Sequence, residues 1–172
     1  MALNVLGSRP LSFGYFFSSR LQRDITKLIE TEAFDLIFVH CSSMGPYVRS
    51  AKQTATIIDF ADMDSQKWRD YVSRKSLLTA PLYLLEATRL ERWERVLASR
   101  FDACTTISAN ELVSLHEICG EAAVRADWFP NGVDLDYFSP PAGAYDPDQV
   151  AFVGRMDYFP NADAMQWFCD EV

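Results

Sequence analysis

The chain has 172 residues, 49% apolar and 23% charged, a balance that supports a folded core and excludes wholesale disorder. Its 24 acidic residues outnumber 16 basic ones, for a formal net charge of -8, so a duplex-binding module built on clustered Lys and Arg is excluded and no nucleic-acid partner is expected. Four cysteines, Cys41, Cys104, Cys119 and Cys169, are widely spaced with no C-x-x-C pair; they point to neither a zinc site nor a disulfide framework and read as small buried hydrophobes in a reducing compartment.

Residues Met1 to Ser19 have no basic head followed by a continuous apolar run, so no signal peptide is expected and the predicted compartment is the cytoplasm. Ser19 to Glu30 places Leu21, Ile25, Leu28 and Ile29 at helical spacing, and Phe34 to His40 (FDLIFVH) has the β-branched and aromatic run of a buried parallel strand. The alternation repeats, with Pro46 to Gln53 predicting a short polar helix and Thr54 to Phe60 (TATIIDF) a strand. The longest apolar stretch, Leu77 to Leu85, is interrupted by Thr79 and Pro81 and falls short of the roughly 20 residues a spanning helix needs. Weak attachment to anionic lipid through this stretch is an alternative use of it.

Leu82 to Arg100 predicts a long helix with Leu90, Trp93, Leu97 and Phe101 along one face, Arg89, Arg92 and Arg95 on a solvated one, and Glu91 paired with Arg95. Asp102 to Ile107 (DACTTI) predicts a third strand. Ser108-Ala-Asn-Glu111 then reads as a capping box, serine oxygen and glutamate carboxylate each satisfying a free amide of a helix running through Cys119. Arg125 to Phe129 predicts a further short strand, ended by the turn signal Pro130-Asn131-Gly132.

Strands and helices alternating at this spacing predict an α/β fold, a Rossmann-like parallel sheet with flanking helices, which places ligand sites at the carboxyl ends of its strands. From Pro130 to Gln149 the composition shifts to Pro, Gly, Asp and Tyr without a sustained period, as in a linker. Val150 to Val153 predicts a new strand ended by Gly154, and Met165, Phe168, Cys169 and Val172 form an apolar stripe at helical spacing. The predicted organisation is a first domain over 1–129, a linker over 130–149 and the start of a second α/β domain over 150–172, whose apolar stripe has little to bury against.

Two groups could carry chemistry. Gly154-Arg155, with Pro160-Asn161 opening a helix, offers amides and a guanidinium suited to an anionic phosphate, although a strand-end turn with a surface arginine has the same pattern. Asp59, Asp62 and Asp64 (DFADMDS) follow a strand, where carboxylates could act as a base, accept from a substrate hydroxyl, ligate a metal or cap the next helix. His40 and His116 have no partner at ligand spacing and read as satisfied or exposed histidines. A Ser-His-Asp set, a Walker loop and a G-x-G-x-x-G fingerprint are all missing from the sequence, so hydrolase, NTPase and dehydrogenase readings have no positive support.

The stretches FDLIFVHCSSMGPYV, IIDFADMDSQKWRDY, RFDACTTISANE, WFPNGVDLDYFSP and VAFVGRMDYFPNADAMQWFCDEV, in this order, resemble the sugar transferases associated with PEP-CTERM/exosortase exopolysaccharide loci, among the GT-B glycosyltransferases. The resemblance covers nearly the whole chain and implies two Rossmann-like domains facing a cleft. The C-terminal domain would hold a nucleotide-diphosphate sugar, and the N-terminal one a polysaccharide or lipid-linked acceptor. It places Gly154 and Arg155 at the donor diphosphate, Asn131 and Gly132 at the interdomain hinge, and Asp64 and Ser108 on the acceptor side, with Asp62 as the candidate catalytic residue. No metal or other cofactor is expected.

This sequence departs from the family pattern in having Ala61-Asp62 where many relatives have His-Asp, and in lacking a lysine in the stretch after Gly154-Arg155. Relatives also begin with another strand and Gly-rich loop unit and continue to an E-x7-E pair, so the chain is expected to be a fragment that does not catalyse alone. The expected function is sugar transfer in exopolysaccharide biosynthesis, in the cytoplasm or peripherally at the inner membrane. Alternative readings are a metal-dependent transferase using the D-x-D of Asp62 and Asp64, and a non-catalytic interaction module or truncated gene product.

Overall fold

A computed structural model describes residues 7–48, 54–140, 143–144 and 146–172. The chain divides into two compact units, Met1–Gly132 and Val133–Val172.

The first unit is an α/β structure. Its sheet contains β1 (Leu36–His40), β2 (Ala55–Ala61), β3 (Ala103–Thr106) and β4 (Ala126–Trp128), all parallel and lying side by side in chain order. Helices α1 (Leu11–Phe16) and α2 (Ser19–Thr31) precede β1, α3 (Asp64–Val72) and α4 (Ala80–Arg100) connect β2 to β3, and α5 (Ala109–Cys119) leads toward β4. The four expected strands are present within one or two residues. The short helix expected over Pro46 to Gln53 is instead a 3-10 turn over Ser42–Tyr47; residues 49–53 of that expectation lie outside the described residues.

The core forms where β2 and β3 meet α4 and α5, with Ile58, Phe60, Leu97, Cys104 and Leu115 buried together. The turn before β2 approaches α4 closely: a Cβ on Gly45 would lie 2.6 Å from Leu97 Cδ2, nearer than carbon atoms tolerate, so any larger residue would require the Leu97 side chain to shift. Asp102 ties the amino ends of β2 and β3 by accepting from the amide and hydroxyl of Thr56 at 2.8 and 2.9 Å. These bonds, the backbone one foremost, hold its carboxyl below the usual carboxylate range.

Helices α1 and α3 take their amino-terminal caps from distant carboxylates. Neither Pro10 before α1 nor Met63 before α3 supplies a side-chain cap. Glu86 on α4 accepts from the amides of Leu11 and Ser12 at 2.7 and 2.9 Å, and Glu94, two turns further along α4, accepts from the Ser65 amide at 2.9 Å. Carboxylates in these positions satisfy unpaired amides and oppose the positive end of the helix dipole.

The capping box is only half formed. Ser108 Oγ accepts from the Glu111 amide at 3.2 Å, but the Glu111 carboxylate accepts from the Met63 amide at 2.7 Å. It therefore helps cap α3 rather than returning to Ser108.

The α4 surface also differs from expectation. Leu90 and Leu97 are buried, but so is Arg89, whereas Arg92 and Arg95 are exposed. A helix packed on both α3 and the sheet has a wider buried sector than a single apolar stripe, and Glu86, Arg89 and Glu94 fall inside it. The expected Glu91–Arg95 pair is present at 2.6 Å. Of the cysteines, Cys104 and Cys119 are buried, Cys41 is half-buried and Cys169 is exposed, so the reading as buried hydrophobes holds for two of the four.

In the second unit, residues 150–153 form no strand, and helix α6 spans Phe159–Glu171. A strand requires a paired neighbour, and the described residues of this unit contain no other. Met165 is half-buried, while Phe168, Cys169 and Val172 are exposed.

Candidate functional site

Because β1, β2 and β3 are parallel and adjacent, their carboxyl ends share one rim. Register places His40 of β1 beside Asp59 of β2, and Asp59 beside Thr105 of β3. His40 Nδ1 lies 2.8 Å from Asp59 Oδ2, and Thr105 Oγ1 donates to Asp59 Oδ1 at 3.0 Å. The Ala61 amide also donates to Oδ1 at 3.3 Å. The carboxylate is thus fixed on both oxygens. The Asp59 side chain is 6% exposed and that of His40 is 63% exposed, so the pair has a buried anchor and a solvent-facing ring. With Nδ1 protonated toward the carboxylate, Nε2 presents its lone pair outward.

The backbone around this pair is strained. Cys41, directly after β1, has φ 73°, and Ala61, ending β2, has φ 58°. Positive φ in non-glycine residues costs on the order of 1–3 kcal/mol and clusters at functional sites. The Cys41 amide donates to the Asp59 carbonyl at 2.8 Å, which carries the ladder one residue past the strand and holds the bend. A register shift in β2 between Asp59 and Ala61 adds to it.

The acidic segment lies on the same rim, with its carboxylates in different roles. Asp59 orients His40. Asp64 opens α3 and accepts from Ser42 Oγ at 2.6 Å, while Asp62 is exposed. Burial, followed by the charges of Asp64, Asp59 and Asp62, pushes the Cys41 thiol up, which disfavours a thiolate nucleophile at neutral pH. Ser108 is committed to the α5 cap. Among the described residues, no group of three or more His, Cys, Asp or Glu side chains is arranged to hold a metal ion.

Beside β1 lies a cavity of about 510 Å³, lined by apolar side chains including Ile25, Leu28, Phe34, Phe38 and Met44, with His40 also in its wall. This volume falls in the range of small-molecule sites.

The remaining expected site residues lie at or beyond the boundary between the units. Asn131 and Gly132 are exposed where the first unit ends. In the second, a Cβ on Gly154 would lie 2.8 Å from Phe152 Cζ. The Arg155 guanidinium forms a two-point pair with Asp157, at 3.1 Å from Nε and 2.6 Å from Nη2, and Asn161 Nδ2 donates to the Arg155 carbonyl at 3.0 Å. An arriving phosphate would have to exchange with the Asp157 carboxylate for this fork.

The His40–Asp59 pair corrects the expectation that neither histidine has a partner. The two residues are 19 apart in sequence, and only the strand register joins them. The available signal was that each stands near the carboxyl end of consecutive predicted strands, where a parallel sheet aligns them.

Comparison with family models yields no match to this chain, and searches of curated proteins and of solved structures yield no significant match either. No described helix is long and apolar enough to cross a membrane.

Proposed function

We propose that the chain is the acceptor-side part of a GT-B glycosyltransferase that moves a sugar from a nucleoside diphosphate sugar to a hydroxyl of a glycan or lipid-linked acceptor in exopolysaccharide assembly. The observation that carries this reading is the polar rim of the parallel sheet, where an oriented imidazole adjoins an apolar cavity that would accept the non-reacting part of an acceptor. The sequence resemblance supports the same assignment. Arg155 would bind the donor diphosphate after exchanging its Asp157 partner, and Asp62, exposed beside the pair, would contact the acceptor.

A nucleotide sugar places the reaction in the cytoplasm. Leu77 and Leu78, 93% and 94% exposed ahead of α4, would support weak peripheral attachment at the inner membrane. The metal-dependent D-x-D alternative is less favoured because Asp64 is bonded to Ser42.

Titration calorimetry with UDP- and GDP-hexoses, with and without manganese, tests the reading. Binding without metal that weakens at least about ten-fold in Arg155→Ala is expected for a lost charge-assisted phosphate contact. An unchanged Kd in that variant would remove Arg155 from the donor site. Absence of any nucleotide-sugar binding would count against a donor contact at Gly154 and Arg155 in this chain.

A further inference from the structure

We propose that the hairpin of α3 and α4 docks on an anionic bilayer, with the carboxyl rim of the sheet turned toward the lipid. That this orientation serves a lipid-linked acceptor rests on the sugar-transfer reading above; the docking itself does not. Two contacts fix where the hairpin stands. Asp102, just after α4, ties the amino ends of β2 and β3, so α4 ends on the amino side of the sheet. Nearer its middle, Glu94 meets Ser65 at the start of α3, which opens directly after the carboxyl end of β2. Residues 80–93 of α4 therefore continue past the rim, about 20 Å at the rise of an α-helix. Helix α3 runs out alongside them, with Arg69 paired to Glu91 and the Trp68 ring 5.0 Å from that of Tyr83.

The tip of this hairpin has the chemistry of an interfacial element. Leu77 and Leu78 are almost fully exposed, and Leu82, Leu84 and Leu85 extend the apolar surface over the first turns of α4. The turn that carries them is built, since the amides of Thr79 and Ala80 donate to the Ser76 carbonyl at 3.0 and 2.9 Å. A contiguous exposed apolar surface of this kind marks a contact with something other than water. Its charge selects the contact. Residues 71–85 hold Arg74 and Lys75 and no acidic residue, in a chain of net charge -8. Of the carboxylates that bound the segment, Glu86 is buried at the amino end of α1, and Asp70 alone faces solvent. Lys75 Nζ stands 5.0 Å over the Tyr83 ring, a cation and an aromatic side by side next to the leucines, as at the headgroup level of a bilayer. Stable peripheral binding takes an apolar insertion and a basic patch together, and this tip supplies both. Other exposed apolar residues do not: Leu135, Tyr137 and Phe138 are interleaved with Asp134 and Asp136, whose charges an anionic surface repels.

Co-sedimentation of the intact chain with vesicles, in the absence of nucleotide sugar, tests the docking. Partition onto mixed phosphatidylglycerol and phosphatidylcholine should exceed partition onto phosphatidylcholine alone at least about ten-fold, and should fall as salt is raised. Leu77→Ser combined with Leu78→Ser, and separately Arg74→Gln combined with Lys75→Gln, should each weaken it at least about ten-fold. All four side chains are exposed, so circular dichroism should show the fold unchanged in both variants. No preference for the anionic vesicles, or unchanged partition in the leucine variant, would overturn the proposal. So would self-association of the unsubstituted chain that the leucine variant abolishes, because the tip would then be a contact between copies. The calorimetric titration separates the two claims: nucleotide-sugar binding without vesicle binding removes the docking and leaves the donor contact, and the converse result leaves the docking and removes the donor contact.

Discussion

Glu94 on α4 accepts hydrogen bonds from both the amide and the hydroxyl of Ser65, 29 residues earlier, at the second residue of α3. This contact is entirely buried and sets where α3 begins, hence where Asp62 and Asp64 stand on the rim. Burial pushes the Glu94 carboxyl up to about 7 from an ordinary 4.5, against the lowering effect of Ser65, with the charges of Asp64 and Glu91 adding to the rise. A carboxyl whose folded-state pKa exceeds its unfolded value binds its proton more tightly when folded. Its stabilising contribution is therefore complete below about pH 4.5 and is lost as pH rises through about 7, a span worth roughly 3 kcal/mol. Glu94→Gln keeps an acceptor for Ser65 and removes the titration. Urea unfolding from pH 4.5 to 8 should show a flatter stability profile in the variant; an equal slope in both proteins would contradict the raised value.

The divided capping box makes a prediction about coupling. Ser108 caps α5, while the Glu111 carboxylate serves the Met63 amide, so the two side chains act on different helices. Ser108→Ala and Glu111→Ala should each cost about 1 kcal/mol. Their effects should add within about 0.5 kcal/mol in a double-mutant cycle. A larger coupling energy would indicate the reciprocal box that the sequence pattern implied.

Thiol reactivity should follow burial. Cys104 and Cys119 lie in the core, where desolvation pushes their thiols up to about 11 and about 12, whereas Cys169 is exposed on α6. Iodoacetamide at pH 8 should label Cys169 first, with Cys104 and Cys119 reacting only under denaturing conditions. Mass mapping of the labelled peptides checks this; early labelling of Cys104 would refute the packing described for β3.

Gly45 allows the 3-10 turn to lie against α4. In Gly45→Ala the added methyl would meet Leu97, and the overpacking should destabilise the chain by about 1–3 kcal/mol. Leu97→Val in the same chain should recover part of that loss, despite being destabilising alone. Thermal unfolding of the four proteins decides it, and simple addition of the two losses would count against close contact.

The strands were legible because runs such as TATIIDF and FDLIFVH concentrate β-branched and aromatic residues, and the local pattern carries that information. The buried charges of α4 were not. Glu86 and Glu94 are buried where they accept from the amino ends of α1 and α3, so burial there depends on a second helix and not on the period of the first. The His40–Asp59 pair was hidden for a related reason: each residue was visible at a strand end, but their contact is a property of register between strands 19 residues apart. The predicted strand over Val150 to Val153 shows the reverse case, in which local propensity is present and the pairing partner is not.

That last segment can be examined directly by amide hydrogen exchange. Strand β2 has neighbours on both sides, and its Ile58 and Phe60 side chains are buried, so its amides can exchange only when the sheet opens. Residues 150–153 have no ladder, and no described residue of the unit Val133–Val172 is buried. The backbone bonds of α6 therefore rest on helical propensity with little tertiary packing, which leaves a helix of 13 residues marginal in water. Exchange should be fastest over 150–153, intermediate over α6 and slowest at Ile58 to Phe60. Protection over 150–153 equal to that of β2 would mean that this segment pairs with a strand after all, and the unit would then have to be described as part of a sheet.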